Sequence, residues 1–127
     1  MRDDRNECIL IVEDSPTEQR LMQKMLEDGG YRVVLASDGN EAVAMVQREK
    51  PALVLLDVVL PGSNGFQICR QLKSSPETRG IRIVLVSSKN QDADKFWGLK
   101  QGADEYLTKP FVAAELLASV KRQMVAF

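Results

Sequence analysis

Histidine is absent from this chain of 127 residues. That removes histidine-based triads, imidazole metal sites and the side chain that titrates near neutrality. Cysteine is scarce: Cys8 and Cys69 are the only two, and both stand in apolar surroundings. Two thiols so placed read as buried free side chains and make no disulfide framework. An excess of one charge is missing too. Seventeen Lys and Arg against eighteen Asp and Glu leave a formal net charge of −1. A chain so balanced has no whole-chain electrostatic basis for binding nucleic acid. No apolar stretch nears the ~20 residues of a membrane-spanning helix. The opening Met1-Arg2-Asp3-Asp4-Arg5-Asn6-Glu7 is polar and unlike a signal peptide. The expectation is a soluble cytoplasmic protein without membrane insertion. Repeats, low-complexity segments and linkers are also lacking. One domain over residues 1–127 is expected, long enough for one core and too short for two.

What is present centres on Leu53-Val54-Leu55-Leu56-Asp57-Val58-Val59-Leu60-Pro61-Gly62. An apolar run without polar alternation fits a strand buried on both faces, as in a parallel sheet. Asp57 then stands at its carboxyl end, the edge where open α/β sheets bind ligands. Asn64 caps the next helix, with Gln67 in capping-box position. Cys8-Ile9-Leu10-Ile11-Val12 is a second such run, ending in Glu13-Asp14. Ser15-Pro16-Thr17-Glu18 opens a helix: Ser15 caps, Pro16 takes the first position and Glu18 completes the box. Leu21, Met22, Met25 and Leu26 form its inner stripe, and Gly29-Gly30 ends it.

Tyr31–Ala36 is a third strand, and Asp38 with Glu41 starts the following helix. Ile81–Val86 is a fourth, ending in Ser87-Ser88. A helix over 92–101 follows, with Phe96, Leu99 and Ala103 marking its inner side and Gly98 weakening it. Trp97 lies off that stripe. Asp104–Thr108 is a short last strand, closed by Lys109-Pro110-Phe111. The final helix covers about Val112 to Val125, and Val112 is a poor cap. Five alternations of strand and helix predict right-handed crossovers and a parallel sheet covered on both faces.

Such a sheet collects Glu13, Asp14, Asp57, Ser87 and Lys109 at one edge. Two like charges ~4 Å apart repel by about 4 kcal/mol at an effective dielectric near 20, so the carboxylates call for protons or a cation. An all-oxygen ligand set without His or Cys suits Mg²⁺, or Mn²⁺, and not zinc. A carboxylate beside such a metal and a lysine can attack phosphorus and form an acyl phosphate. A phosphatase with an aspartyl nucleophile would want a second acid two residues on, where Val59 stands. A flavin carrier would want a phosphate loop where Glu13-Asp14 stand.

These motifs resemble the receiver domains of two-component response regulators, the chemotaxis-regulator-like family. The marks are Val12-Glu13-Asp14-Ser15, Leu56-Asp57-Val58-Val59-Leu60-Pro61-Gly62 with Gly65, Val86-Ser87-Ser88, Gly102-Ala103 and Tyr106-Leu107-Thr108-Lys109-Pro110-Phe111. The resemblance spans about Cys8 to Met124. It implies a flavodoxin-like doubly wound (βα)5 fold with strand order 2-1-3-4-5. It implies Asp57 as phosphoacceptor and Lys109 as partner of the phosphoryl group. Mg²⁺ would sit on Asp14, Asp57 and the Val59 carbonyl oxygen, with Glu13 binding directly or through water. Ser87 would be the switch hydroxyl and Tyr106 the aromatic that moves with it. The Lys109-Pro110 peptide would be cis. A histidine kinase would donate the phosphoryl group. A downstream protein would read the fourth helix, fifth strand and fifth helix, with no output domain after Phe127. The segment from Lys95 to Ala103 resembles regulators of twitching motility and pilus-linked phototaxis.

Overall fold

The structure, a computed structural model, describes residues 7–124. Five strands form one sheet: β1 (Ile9–Val12), β2 (Val33–Ala36), β3 (Leu53–Asp57), β4 (Arg82–Ser87) and β5 (Glu105–Thr108). Their order is β2-β1-β3-β4-β5 and every neighbouring pair is parallel. Five helices connect and follow them: α1 (Pro16–Asp28), α2 (Gly39–Glu49), α3 (Gly65–Ser74), α4 (Asp92–Lys100) and α5 (Ala113–Met124). The expected flavodoxin-like (βα)5 architecture is present, and the Lys109-Pro110 peptide is cis.

The two-residue period of a strand divides the core into two layers. Ile9, Ile11, Leu53, Leu55, Val84 and Val86 meet Met22 and Leu26 of α1 and Leu116 and Val120 of α5. Leu10, Val12, Val54, Leu56, Ile83 and Leu85 face the other way, onto Ala42 and Val46 of α2 and Phe66, Ile68, Cys69 and Leu72 of α3. β1 and β3 are buried along their whole length. Both cysteines are free and buried, and burial pushes the Cys69 thiol up to about 11. None of the helices among the described residues is long and apolar enough to cross a membrane.

Helix starts follow local chemistry. Ser15 Oγ accepts from Glu18 N at 3.3 Å, and Asp38 Oδ1 accepts from Glu41 N at 2.8 Å. Asn64 Oδ1 accepts from Phe66 N at 2.8 Å. Val112, expected to leave α5 uncapped, is served from inside the helix: its N–H donates to Glu115 Oε1 at 3.0 Å. The predicted last residue of that helix, Val125, lies outside the described residues.

Two expected stripes differ. Leu21 is exposed, while Met22 and Leu26 carry the inner face of α1. In α4 the inversion is larger: Phe96 and Leu99, expected inward, are 63% and 52% exposed, Trp97 is 53% exposed off the stripe as expected, and the residues turned in are Gly98 and, just past the helix, Ala103. A Cβ at Gly98 would stand 2.8 Å from Leu85 Cδ1 and 3.0 Å from Tyr106 Cδ2. The helix therefore touches the sheet through its glycine, which turns its large apolar side chains outward.

Gly65 is tighter still. A Cβ there would overlap the Asp57 carbonyl oxygen and come within 2.7 Å of Val58 Cα, both backbone atoms that cannot rotate away. Gly65→Ala is expected to lower stability by about 3 kcal/mol, the upper end for overpacking. Gly80→Ala, where a Cβ meets nothing within 4 Å, serves as the control. It should stay within about 0.5 kcal/mol of wild type in urea unfolding.

Candidate functional site

Parallel register sets the site. Val12 pairs with Leu56, so the residues that follow, Glu13-Asp14 and Asp57, leave the sheet side by side. Ser87 pairs with Thr108, and Lys109 N donates to Ser87 O at 2.9 Å, which carries Lys109 over the same edge. One ligand oxygen from each of Glu13, Asp14 and Asp57 lies within 4.8 Å of the others. A cavity of about 520 Å³ opens here, lined by these acids with Glu18, Lys109, Ser88 and Val59 and by apolar Leu21, Met22 and Phe111.

Lys109 is the hub. Its Nζ lies 2.7 Å from Glu13 Oε1, 3.1 Å from Glu18 Oε1 and 3.2 Å from Asp57 Oδ2. The other Asp57 oxygen, Oδ1, accepts from Val59 N at 3.1 Å. Both oxygens of this nearly buried carboxylate are thus oriented. Asp14 is exposed, with a carboxylate oxygen still grouped with those of Glu13 and Asp57. Glu13 is 2% exposed, and burial raises its carboxyl pKa against the opposing pull of Lys109 and of Ser15 N–H. The Lys109 ammonium is held well above the ordinary lysine range: the carboxylates around it outweigh the cost of its burial.

Three carboxylates of this spacing, all hard oxygen donors with a solvent-open side, fit Mg²⁺ or Mn²⁺. Zinc would want imidazole or thiolate. Among the sequence-predicted residues, Glu13, Asp14, Asp57, Val59 and Lys109 converge on the cavity. Ser87 and Tyr106 stand beside it as a coupled pair. Ser87 is buried and its Oγ accepts from Lys89 N at 3.1 Å. The Tyr106 hydroxyl donates to Lys89 O at 2.7 Å. Burial pushes the Tyr106 phenol up, and the nearby Ser87 hydroxyl opposes that rise.

Two participants escaped sequence reasoning. Glu18 was expected to close the α1 capping box; it reaches Lys109 instead, and Ser15 N–H donates to Glu13 Oε2 at 3.0 Å. Gln19 Nε2 donates to the Glu13 carbonyl at 3.1 Å and to Ala36 O at 3.3 Å, pinning the turn after β1. Lys89, which flanks the site in the sequence, enters through its backbone N–H and carbonyl.

A doubly wound parallel sheet with an acid–lysine cluster at its carboxyl edge defines a flavodoxin-like class of domain. The chain belongs to the response regulator receiver domain family, whose sequence pattern matches residues 9–121. It is 48% identical over 112 residues to protein PilH of Pseudomonas aeruginosa, covering 88% of this chain and 93% of that protein. Its fold matches the BeF3-activated receiver domain of Klebsiella pneumoniae RstA with a TM-score of 0.86 at 34% identity, over 94% of this chain and 99% of that one. The chemotaxis response regulator CheY4 of Vibrio cholerae gives a TM-score of 0.86 at 28% identity, over 92% and 98%. Receiver domains are signalling modules of two-component systems, not conventional enzymes. They bind Mg²⁺ at an acidic pocket and take phosphoryl groups from histidine kinases.

The Glu13 shift has a testable sign. Its carboxyl holds a proton to higher pH in the folded state than its ordinary 4.5. The ionised form therefore weakens the fold as pH rises above that value. In chelator, the melting temperature of Glu13→Gln relative to wild type is expected to climb between the unfolded carboxylate range and neutrality. A gap that narrows instead would contradict the assigned cause.

Proposed function

We propose that the protein is a response regulator whose Asp57 accepts a phosphoryl group from a histidine kinase. The observation that carries this reading is the Asp57 carboxylate itself. It is 7% exposed, oriented by Val59 N–H and Lys109, and set against Glu13 and Asp14 at the carboxyl edge of the sheet. A chain without histidine cannot be the phosphohistidine donor, so it receives.

In this reading Asp14, Asp57 and the Val59 carbonyl oxygen would hold Mg²⁺, with Glu13 binding it directly or through a water; Mn²⁺ suits the same donors. Bound there, the metal neutralises charge on the transferring oxygens. Lys109 moves its donors onto the phosphoryl group, and Val59 N–H keeps the nucleophile aimed. Little else is asked of the protein, since phosphoryl transfer depends on position and charge more than on covalent help.

The aspartyl phosphate adds about −1.5 to −2 charge beside Ser87. Ser87 turns its hydroxyl to the new oxygens, releasing Lys89 N–H, and Tyr106 repacks with it. Tyr106 packs against α4 at Gly98, so the α4–β5–α5 face changes as a unit. Phe96, Trp97 and Leu99 present an apolar surface on that face to a downstream protein. The balanced charge supports a protein target over nucleic acid, in the cytoplasm. The likeness to PilH supports a role in motility or taxis.

Acetyl phosphate with Mg²⁺ is expected to label the wild type in phosphate-affinity electrophoresis. Asp57→Asn and an excess of chelator should each abolish the shifted band. Undiminished labelling of Asp57→Asn would defeat the assignment.

A further inference from the structure

A lysine ammonium has three N–H donors. In Lys109 two of them go in hydrogen bonds to Glu13 and Asp57, and Glu18 holds the ammonium in an ion pair at 3.1 Å. The partners are not equivalent. The Glu13 and Asp57 side chains are 3% and 10% exposed, whereas Glu18 is 48% exposed. Letting go of Glu13 would strand a carboxylate away from water, at high cost. Letting go of Glu18 returns a carboxylate to solvent, and an exposed pair is weak.

A phosphoryl group arriving on Asp57 draws the Lys109 ammonium toward itself, and the ammonium has to leave one of these three carboxylates. We infer that Glu18 is the positioning residue that restrains Lys109 in the resting protein and yields it to the phosphoryl group, so that the Glu18 carboxylate sets the rate at which Asp57 is phosphorylated. This rests on the reading of Asp57 as acceptor.

The local structure prepares Glu18 for the task. It lines the same cavity as Glu13, Asp14, Asp57 and Lys109. Its backbone N–H is fixed by Ser15 Oγ at 3.3 Å, in the first turn of α1. The Ser15 N–H that a capping box would have given to Glu18 goes to Glu13 Oε2 at 3.0 Å. Its side chain is thereby released for Lys109. With an acyl phosphate as donor, an Asp57 carboxylate oxygen attacks phosphorus. The bond from phosphorus to the acyl oxygen breaks, and its electron pair leaves with the carboxylate product. No proton changes hands, so nothing is required of Glu18 except that it release Lys109.

The test compares wild type, Glu18→Gln and Glu18→Asp for their rate of phosphorylation by acetyl phosphate with Mg²⁺, read by phosphate-affinity electrophoresis. Glu18→Gln removes the charge. Glu18→Asp keeps it but withdraws the carboxylate by one methylene, out of reach of Lys109. Both variants are expected to react faster than wild type by about two- to fivefold, the range that an exposed ion pair allows. Wild-type rates in both, or slower ones, would overturn the inference. So would acceleration of Glu18→Gln alone, which would reduce Glu18 to a diffuse field. Each of these outcomes, in a wild type labelled on Asp57, leaves the acceptor assignment standing. A wild type that takes no label on Asp57 removes both.

Discussion

One ammonium among three carboxylates governs the functional edge of this molecule. Lys109 is the cation that opposes the cost of burying the Glu13 carboxyl at 2% exposure and keeps Asp57 directed into the cavity. Its placement is a backbone matter. The register of β4 against β5 ends at Ser87 and Thr108, and the next N–H of the chain closes on the Ser87 carbonyl. The acids arrive in the same manner, because β1 and β3 run in register up to Val12 and Leu56. A parallel sheet thus delivers opposite charges to one rim without any of them sitting within a strand's apolar centre.

The opposite rim is built differently. Asp104, just before β5, accepts from Ile83 N at 2.8 Å and pairs with Lys73 of α3 at 2.9 Å. Lys73 also donates to Ile81 O at 2.8 Å. Arg82 Nε donates to Gln123 Oε1 at 3.0 Å, and Gln123 Nε2 donates to Glu105 Oε1 at 2.8 Å. These bonds join α3, β4, β5 and α5, with donors matched to acceptors. One end of the sheet is a closed network. The other keeps an excess of carboxylates in wait of a cation or a phosphoryl group, and a fold that carries such a load has to be secured elsewhere.

Much of this was readable in the residues alone. The two apolar runs stopping at Glu13-Asp14 and Asp57 gave away the buried strands and the acidic edge. Ser15 and Asp38 announced their helices because a cap is a local bond. Signals failed where two uses competed for one side chain. Glu18 fits a capping box by spacing, but the ammonium of Lys109, distant in the sequence, takes it from the local N–H, and spacing cannot foresee that. Glu115 does the capping that Val112 could not, from within the helix. In α4 the apolar residues pointed to an inner stripe, while the residue that makes the contact has no side chain with which to announce itself.

That glycine contact has a consequence for how the protein diversifies. A helix seated through Gly98 invests none of Phe96, Trp97 or Leu99 in the core. Those positions are free to be rewritten without loosening the sheet or touching the acids beneath it. The vocabulary by which the domain addresses its listener is thereby separated from the grammar of its chemistry, and new partnerships can be acquired on an unaltered reactive frame.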